Sequence, residues 1–269
     1  MPATFAHPAL AWPLRRWLPW RALVVGSTVP DVAHLLPRRP WTDHTLLSVV
    51  TFALPLGVLV LLTFERLAGP ALAAGLPAPW RGPAQARLAR PRSGPGAVLG
   101  ILGGALGHVA LDALTHPRTL PVRALPALRA SVWTPFGPEP VHVVLQHGLG
   151  VAGTALLGAL LLRWMARHRA PERLELLGVV PWALALLGVG AGAVAIGHRN
   201  SWWLEEPTRT HVFLVEGAAA GMMLSVGLAV AYGVAWHVVR WLWSRRVRAR
   251  PPDRPADRSP DRSAGPAEA

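Results

Sequence analysis

Residues 96–116 read GAVLGILGGALGHVALDALTH. Positions 96–114 form an apolar run of about the length a helix needs to cross the hydrocarbon core of a bilayer. Inside that run His108, Asp112 and His116 stand at i, i+4 and i+8. Four residues advance an α-helix by about 400°, so the three side chains drift only about 40° per step and share one face. Ionisable groups are costly in apolar segments and face a partner, a cavity or an ion. One stretch therefore predicts both a membrane helix and a metal site held on it.

Composition agrees with the first half of that reading. The chain has 269 residues, 52% of them hydrophobic and 15% charged, a profile of an integral membrane protein rather than a soluble globule. It has no cysteine, which excludes disulfides and thiolate metal sites. A bound metal must be held by imidazole and carboxylate. All 27 basic residues are Arg, and the formal net charge is +13. Arginine on loops flanking membrane spans accounts for that charge, so membrane lipids are the expected partners and nucleic acid is not. The N-terminus does not read as a cleaved signal peptide, because Arg15 and Arg16 interrupt the apolar run and no small-residue cleavage site follows.

Working outward, five long apolar runs stand out, at about 46–64, 96–114, 141–162, 174–197 and 212–239. A shorter one, 20–36, contains Pro30 and Asp31 and reads as a short span or a re-entrant element. The expected fold class is all-α: a polytopic transmembrane helical bundle of five long spans plus this short N-terminal segment. Pro55 and Pro181 fall inside two spans, which membrane helices tolerate when neighbours satisfy the freed carbonyl. Gly100, Gly103, Gly104 and Gly107 form overlapping small-xxx-small patterns that let another helix approach closely. Residues 1–243 make the membrane domain. Residues 244–269, rich in Arg, Pro and Asp, lack the apolar side chains to bury anything and read as a disordered cytoplasmic tail.

Arginines cluster in 65–95, in 163–173 and after 239, and are sparser in the loops between. The positive-inside rule makes the first set cytoplasmic and the protein a multi-pass component of the inner (cytoplasmic) membrane. Under that topology the histidines sort to the outer side. His44 starts the first long run, and His108, Asp112 and His116 occupy the outer half of the second. His147 lies just inside the third, while His198 and His211 flank the last loop. Asp31 and His34 join them if 20–36 crosses. His168 and His237 fall on the cytoplasmic side. Taken singly, His34, His142, His198 and His211 read as hydrogen-bonded interfacial residues. Asp31 and Asp43 could be helix N-caps. His108, Asp112 and His116 together could also be a polar packing network between helices.

Metal chemistry joins these residues into one set. Neutral imidazole and carboxylate suit Zn²⁺, with Mn²⁺ or Fe²⁺ as alternatives. Such a divalent ion activates water near neutral pH, and a carboxylate off the metal can serve as general base; Asp31, Asp43 and Asp112 are the choices.

Five separated motifs carry a resemblance to a known family: Met1-Pro2-Ala3-Thr4-Phe5-Ala6-His7-Pro8, Gly26-Ser27-Thr28-Val29-Pro30-Asp31, Asp43-His44-Thr45-Leu46, Gly107-His108 through Thr115-His116, and Leu145-Gln146-His147. Over roughly residues 1–240 the chain resembles an uncharacterised bacterial integral-membrane family, a domain of unknown function. It is similar, more distantly, to inner-membrane metal-dependent hydrolases and to the group of zinc-dependent phospholipase C and P1-type nucleases. The resemblance implies a metal site drawn from His7, Asp31, His44, His108, Asp112, His116 and His147; of the general-base choices, Asp31 and Asp112 are the expected catalytic residues. It also implies a hydrolase that attacks a phosphoester or lipid-linked ester with metal-activated water. Two other classes remain open: a transporter or ion-handling protein using buried His and Asp, and a non-catalytic structural membrane protein; a b-type haem site is a poorer reading, because Asp112 would sit badly against an apolar macrocycle.

Overall fold

The computed structural model describes residues 7–32, 45–89, 94–134, 137–168 and 190, together with the backbone of 206–248, where side chains are described at 221 and 224–245. The described chain is mostly helical. In order come α1 (His7–Ala11), a 3₁₀ turn (Trp12–Arg16), α2 (Trp20–Val32), α3 (Leu46–Ala74), α4 (Ala78–Leu88), α5 (Pro95–Thr115), α6 (Leu120–Ala124), α7 (Pro126–Arg129), strands β1 (Ser131–Thr134) and β2 (Gly137–Pro140), α8 (Val141–Arg167) and α9 (Glu206–Arg248).

Among the described residues four stretches are long and apolar enough to cross a membrane: Leu46–Ala74, Pro95–Ala124, Val141–Arg167 and Leu224–Arg245. They match four of the five expected runs; the fifth, 174–197, lies outside the described residues. Large apolar side chains such as Val151, Leu162, Val239 and Trp243 are exposed on α8 and α9. Apolar surface of that extent needs a lipid or protein neighbour.

The first long run ends later than expected. Arg66 and Pro70 suggest a cytoplasmic loop from residue 65, yet helix continues to Ala74. Two π-helical stretches, Val49–Ala53 and Phe64–Ala68, each lie two residues before a proline, Pro55 and Pro70. Each closes with a bond to the carbonyl five residues back, Leu54 to Val49 and Gly69 to Phe64. This widened turn is an adjustment by which a membrane helix carries proline without breaking. Thr45 starts α3 with a capping box: its side chain accepts from the Ser48 N–H while the Ser48 hydroxyl accepts from the Thr45 N–H.

The short segment α2 is the organising element. Its 13 described residues rise about 20 Å, short of the roughly 30 Å hydrocarbon core. It runs parallel to α5, with Pro19 beside Gly96, Ala22 beside Gly100 and the Ser27 backbone beside His108. The contact is made by small residues. A Cβ on Gly26 would collide with the Ile101 backbone, and one on Gly104 with the Leu23 carbonyl and, at 2.7 Å, the Ser27 nitrogen. Gly100 and Gly104 thus serve the expected close approach, whereas Gly107 faces open space. Leu23, Val29, Ile101 and Ala105 fill the seam, with Val49 and Leu61 of α3 packed across it. Arg21 of α2 pairs with Glu65 of α3 at 3.2 Å, the Glu65 carboxylate being almost fully buried.

One feature departs from the all-α expectation. β1 and β2 form an antiparallel hairpin in register Ser131↔Pro140 to Thr134↔Gly137. Val132 and Trp133 favour extended backbone, and Gly137 takes a positive φ of 112° that a side chain would resist. The Thr134 hydroxyl donates to the Gly137 carbonyl at 2.7 Å and closes the turn.

Candidate metal centre

The close α2–α5 seam dictates where polar atoms meet. Because Gly104 lets the α2 backbone approach, the Ser27 carbonyl comes within 2.8 Å of His108 Nδ1. A carbonyl can only accept, so Nδ1–H donates to it, and in the neutral ring Nε2 presents its lone pair on the other side. One helical turn beyond Ser27, Asp31 places Oδ1 at 3.6 Å from that Nε2. One turn beyond His108, Asp112 places Oδ2 at 3.2 Å from it. The i, i+4 spacing on both helices thus aims two carboxylates at one imidazole nitrogen.

His7 arrives from α1, which lies against both α2 and α5. Its ring stacks on that of His108, centroids 3.8 Å apart and planes 28° from parallel. Its Nε2 lies 3.7 Å from Asp112 Oδ1. His7, Asp31, His108 and Asp112 are all buried, His108 to 1% exposure. One ligand atom from each of His7, His108 and Asp112 lies within 4.8 Å of the others.

These separations fit a common cation. Two ligands about 2.05 Å from a tetrahedral ion stand roughly 3.3 Å apart; His108 Nε2 lies 3.2 Å from Asp112 Oδ2, and His7 Nε2 lies 3.7 Å from the other carboxylate oxygen, Oδ1. The Ser27 carbonyl supplies what a metal-ligating histidine ordinarily has: an acceptor on its other ring nitrogen that sets tautomer and ring orientation.

The remaining candidates are placed differently. His116 follows the last residue of α5 and is about one-third exposed; its Nδ1 lies 3.6 Å from Asp112 Oδ1 but also 3.1 Å from the Asp112 carbonyl, to which it donates. It borders the cluster without joining the trio. His147 is exposed on α8 and is not one of the trio. His44, with Asp43, His34 and His198, lies outside the described residues, and His211 is described only in its backbone. His142 is buried with Nδ1 3.0 Å from the Leu128 carbonyl, a backbone tie of the kind expected for a lone histidine near a span end. Asp31 is not an N-cap: it sits in the last described turn of α2, after Pro30.

Two participants escaped sequence reasoning. The Ser27 carbonyl is a backbone atom and leaves no trace in residue type, although Ser27 stands four residues before Asp31. The Arg21–Glu65 pair joins residues 44 positions apart, and Glu65 alone reads as a loop residue beside Arg66.

No curated protein and no solved structure matches the chain. A family does: residues 1–243 match the domain of unknown function DUF4184. On that match, which spans every described element except the last turn or so of α9, the chain belongs to the DUF4184 family.

Proposed function

We propose that this chain is a multi-pass protein of the cytoplasmic membrane that binds a divalent cation, zinc foremost, and hydrolyses a phosphoester or lipid-linked ester. The observation that carries the reading is the buried trio His7, His108 and Asp112, with ligand atoms within 4.8 Å of one another in an otherwise apolar bundle. Two carboxylates, Asp31 and Asp112, lie within 3.6 Å of one imidazole nitrogen, and a cation among them would offset the negative charge gathered there.

Bound there, the cation would supply Lewis acidity and lower the pKa of a coordinated water. The chain's own residues do the rest. His7, His108 and Asp112 bind. The Ser27 carbonyl orients His108. Asp31, 3.6 Å from His108 Nε2 and outside the trio, is the carboxylate that takes the proton as general base. His116, partly exposed beside Asp112, marks the side from which substrate enters. The cluster lies toward the C-terminal end of α5, the outer end by the distribution of arginine, so a lipid-linked substrate would reach it from the outer leaflet.

The test is metal content together with turnover. Detergent-purified full-length protein should carry stoichiometric metal and release product from a phosphoester lipid, and His108→Ala should lose both. Equal metal content in wild type and His108→Ala would end the metal reading. Metal bound without turnover, but with flux of the same ion into proteoliposomes, would replace hydrolysis by transport.

A further inference from the structure

At the end of the bundle away from the metal centre, the C-terminal end of α8 meets the N-terminal 3₁₀ turn and α4 around a cavity of about 840 Å³. Four arginines line it, Arg15, Arg87, Arg163 and Arg167, and among the described residues no carboxylate does. They come from three separate elements, so helix periodicity alone does not explain their convergence. Exposed guanidinium groups gathered on one cavity wall offer several N–H donors to a single oxyanion.

The rest of the lining is aromatic and aliphatic. Arg15 lies over the Trp12 ring at 3.9 Å, and Trp12 meets Trp20 edge to face at 5.0 Å. Arg87 lies 5.8 Å from the Trp164 ring. Stacking of this kind holds a guanidinium in place while leaving its N–H edge for a ligand. The Trp164 indole N–H is buried and makes no hydrogen bond among the described residues, and a buried donor of that kind is costly unless an acceptor reaches it. His168 Nδ1–H donates to the Trp164 carbonyl at 2.8 Å, which fixes its ring at the rim. Trp80 Nε1–H donates to the Met165 carbonyl at 3.2 Å and clamps α4 to α8. Leu157, Leu160 and Leu161 continue the wall toward the middle of α8. The cavity is thus graded, basic at the helix end and apolar toward the membrane interior.

We infer that this cavity binds the phosphate of an anionic phospholipid, with the headgroup among the arginines and the start of an acyl chain along the leucines. Orthophosphate shares the oxyanion chemistry, but it would leave most of the volume and the whole leucine wall without a counterpart. Clustered arginine near the end of a membrane helix is how such headgroups are recognised. The site is independent of the metal centre, so the two succeed or fail separately.

Native mass spectrometry of the detergent-solubilised full chain tests this, with phosphatidylglycerol, phosphatidylcholine or orthophosphate as probe. Phosphatidylglycerol should be retained in preference to phosphatidylcholine. Arg163→Ala with Arg167→Ala should weaken its binding by about thirtyfold, and Trp164→Phe, which keeps an aromatic ring but loses the N–H, by about fivefold. Arg123→Ala with Arg129→Ala, at the other end of the bundle, should change nothing. All four substituted arginines are exposed, and the conservative Trp164→Phe tests the site independently of them. Equal retention of both lipids, or wild-type phosphatidylglycerol binding in both Arg163→Ala/Arg167→Ala and Trp164→Phe, would overturn the inference. Displacement of phosphatidylglycerol by millimolar orthophosphate, but not by chloride at the same ionic strength, would overturn the lipid assignment in favour of free phosphate.

Discussion

Replacing Gly104 and Gly107 by alanine, three residues apart on α5, should have effects of opposite sign. At Gly104 a Cβ would meet backbone: the Leu23 carbonyl, the Ser27 nitrogen at 2.7 Å and the Gly26 carbonyl carbon at 3.0 Å. Ordinary carbon contacts begin near 3.5 Å, and backbone atoms cannot rotate aside, so α2 must move off α5 by about 1 Å. Overpacking costs about 1–3 kcal/mol, and a backbone obstacle belongs at the upper end. Alanine returns about 1 kcal/mol of helix propensity, leaving a net loss of about 2 kcal/mol. For a chain of this size that lowers Tm by roughly 4–8 °C. At Gly107 a Cβ meets nothing within 4 Å, so only the propensity gain of about 1 kcal/mol remains and Tm should hold or rise. The same displacement reaches the metal centre, because Ser27 and Asp31 ride on α2. Neither is a ligand, but the Ser27 carbonyl orients the His108 ring, and loss of such an outer partner costs about tenfold or more in metal affinity, which Gly104→Ala should show. Thermal melts and metal titration of the two variants in one detergent measure both effects. If Gly104→Ala melts within a degree of wild type, or if Gly107→Ala is the more damaging, the seam does not hold the site as argued.

Other substitutions separate the site from its surroundings. His108→Ala and Asp112→Ala should each abolish stoichiometric metal by elemental analysis, since each removes one of three ligand atoms that lie within 4.8 Å of one another. His147→Ala should leave metal content unchanged, because that side chain is exposed and outside the trio. Arg21→Ala should lower thermal stability by about 3 kcal/mol by leaving the buried Glu65 carboxylate without the guanidinium 3.2 Å away. Arg21→Leu combined with Glu65→Leu should recover most of that loss, and a double variant no more stable than Arg21→Ala would show that the pair does not act as a unit.

Much of the fold was legible because hydrophobic length is a local property. A run of about twenty apolar residues can be counted without knowing its neighbours, and runs 46–64, 96–114, 141–162 and 212–239 all correspond to described helices. Helix ends were less legible. Pro70 ordinarily breaks a helix, and only the π-helical stretch before it lets α3 continue to Ala74. The hairpin at 131–140 was missed although Val132, Trp133 and Gly137 carried its signal, because two four-residue strands are brief beside spans of more than twenty residues.

For the site, sequence alone placed His108 and Asp112 on one helix face, since i, i+4 spacing is a consequence of helix geometry. It could not place His7 against them, nor set Asp31 apart from His147, because those relations depend on which helices touch. Tertiary structure made that choice through Gly26, Gly100 and Gly104, whose missing side chains bring α2 into backbone contact with α5 and so put the Ser27 carbonyl and Asp31 at His108. Side-chain periodicity is inscribed along one chain segment. Contact between segments is decided by the shapes of two surfaces at once, and no single segment records it.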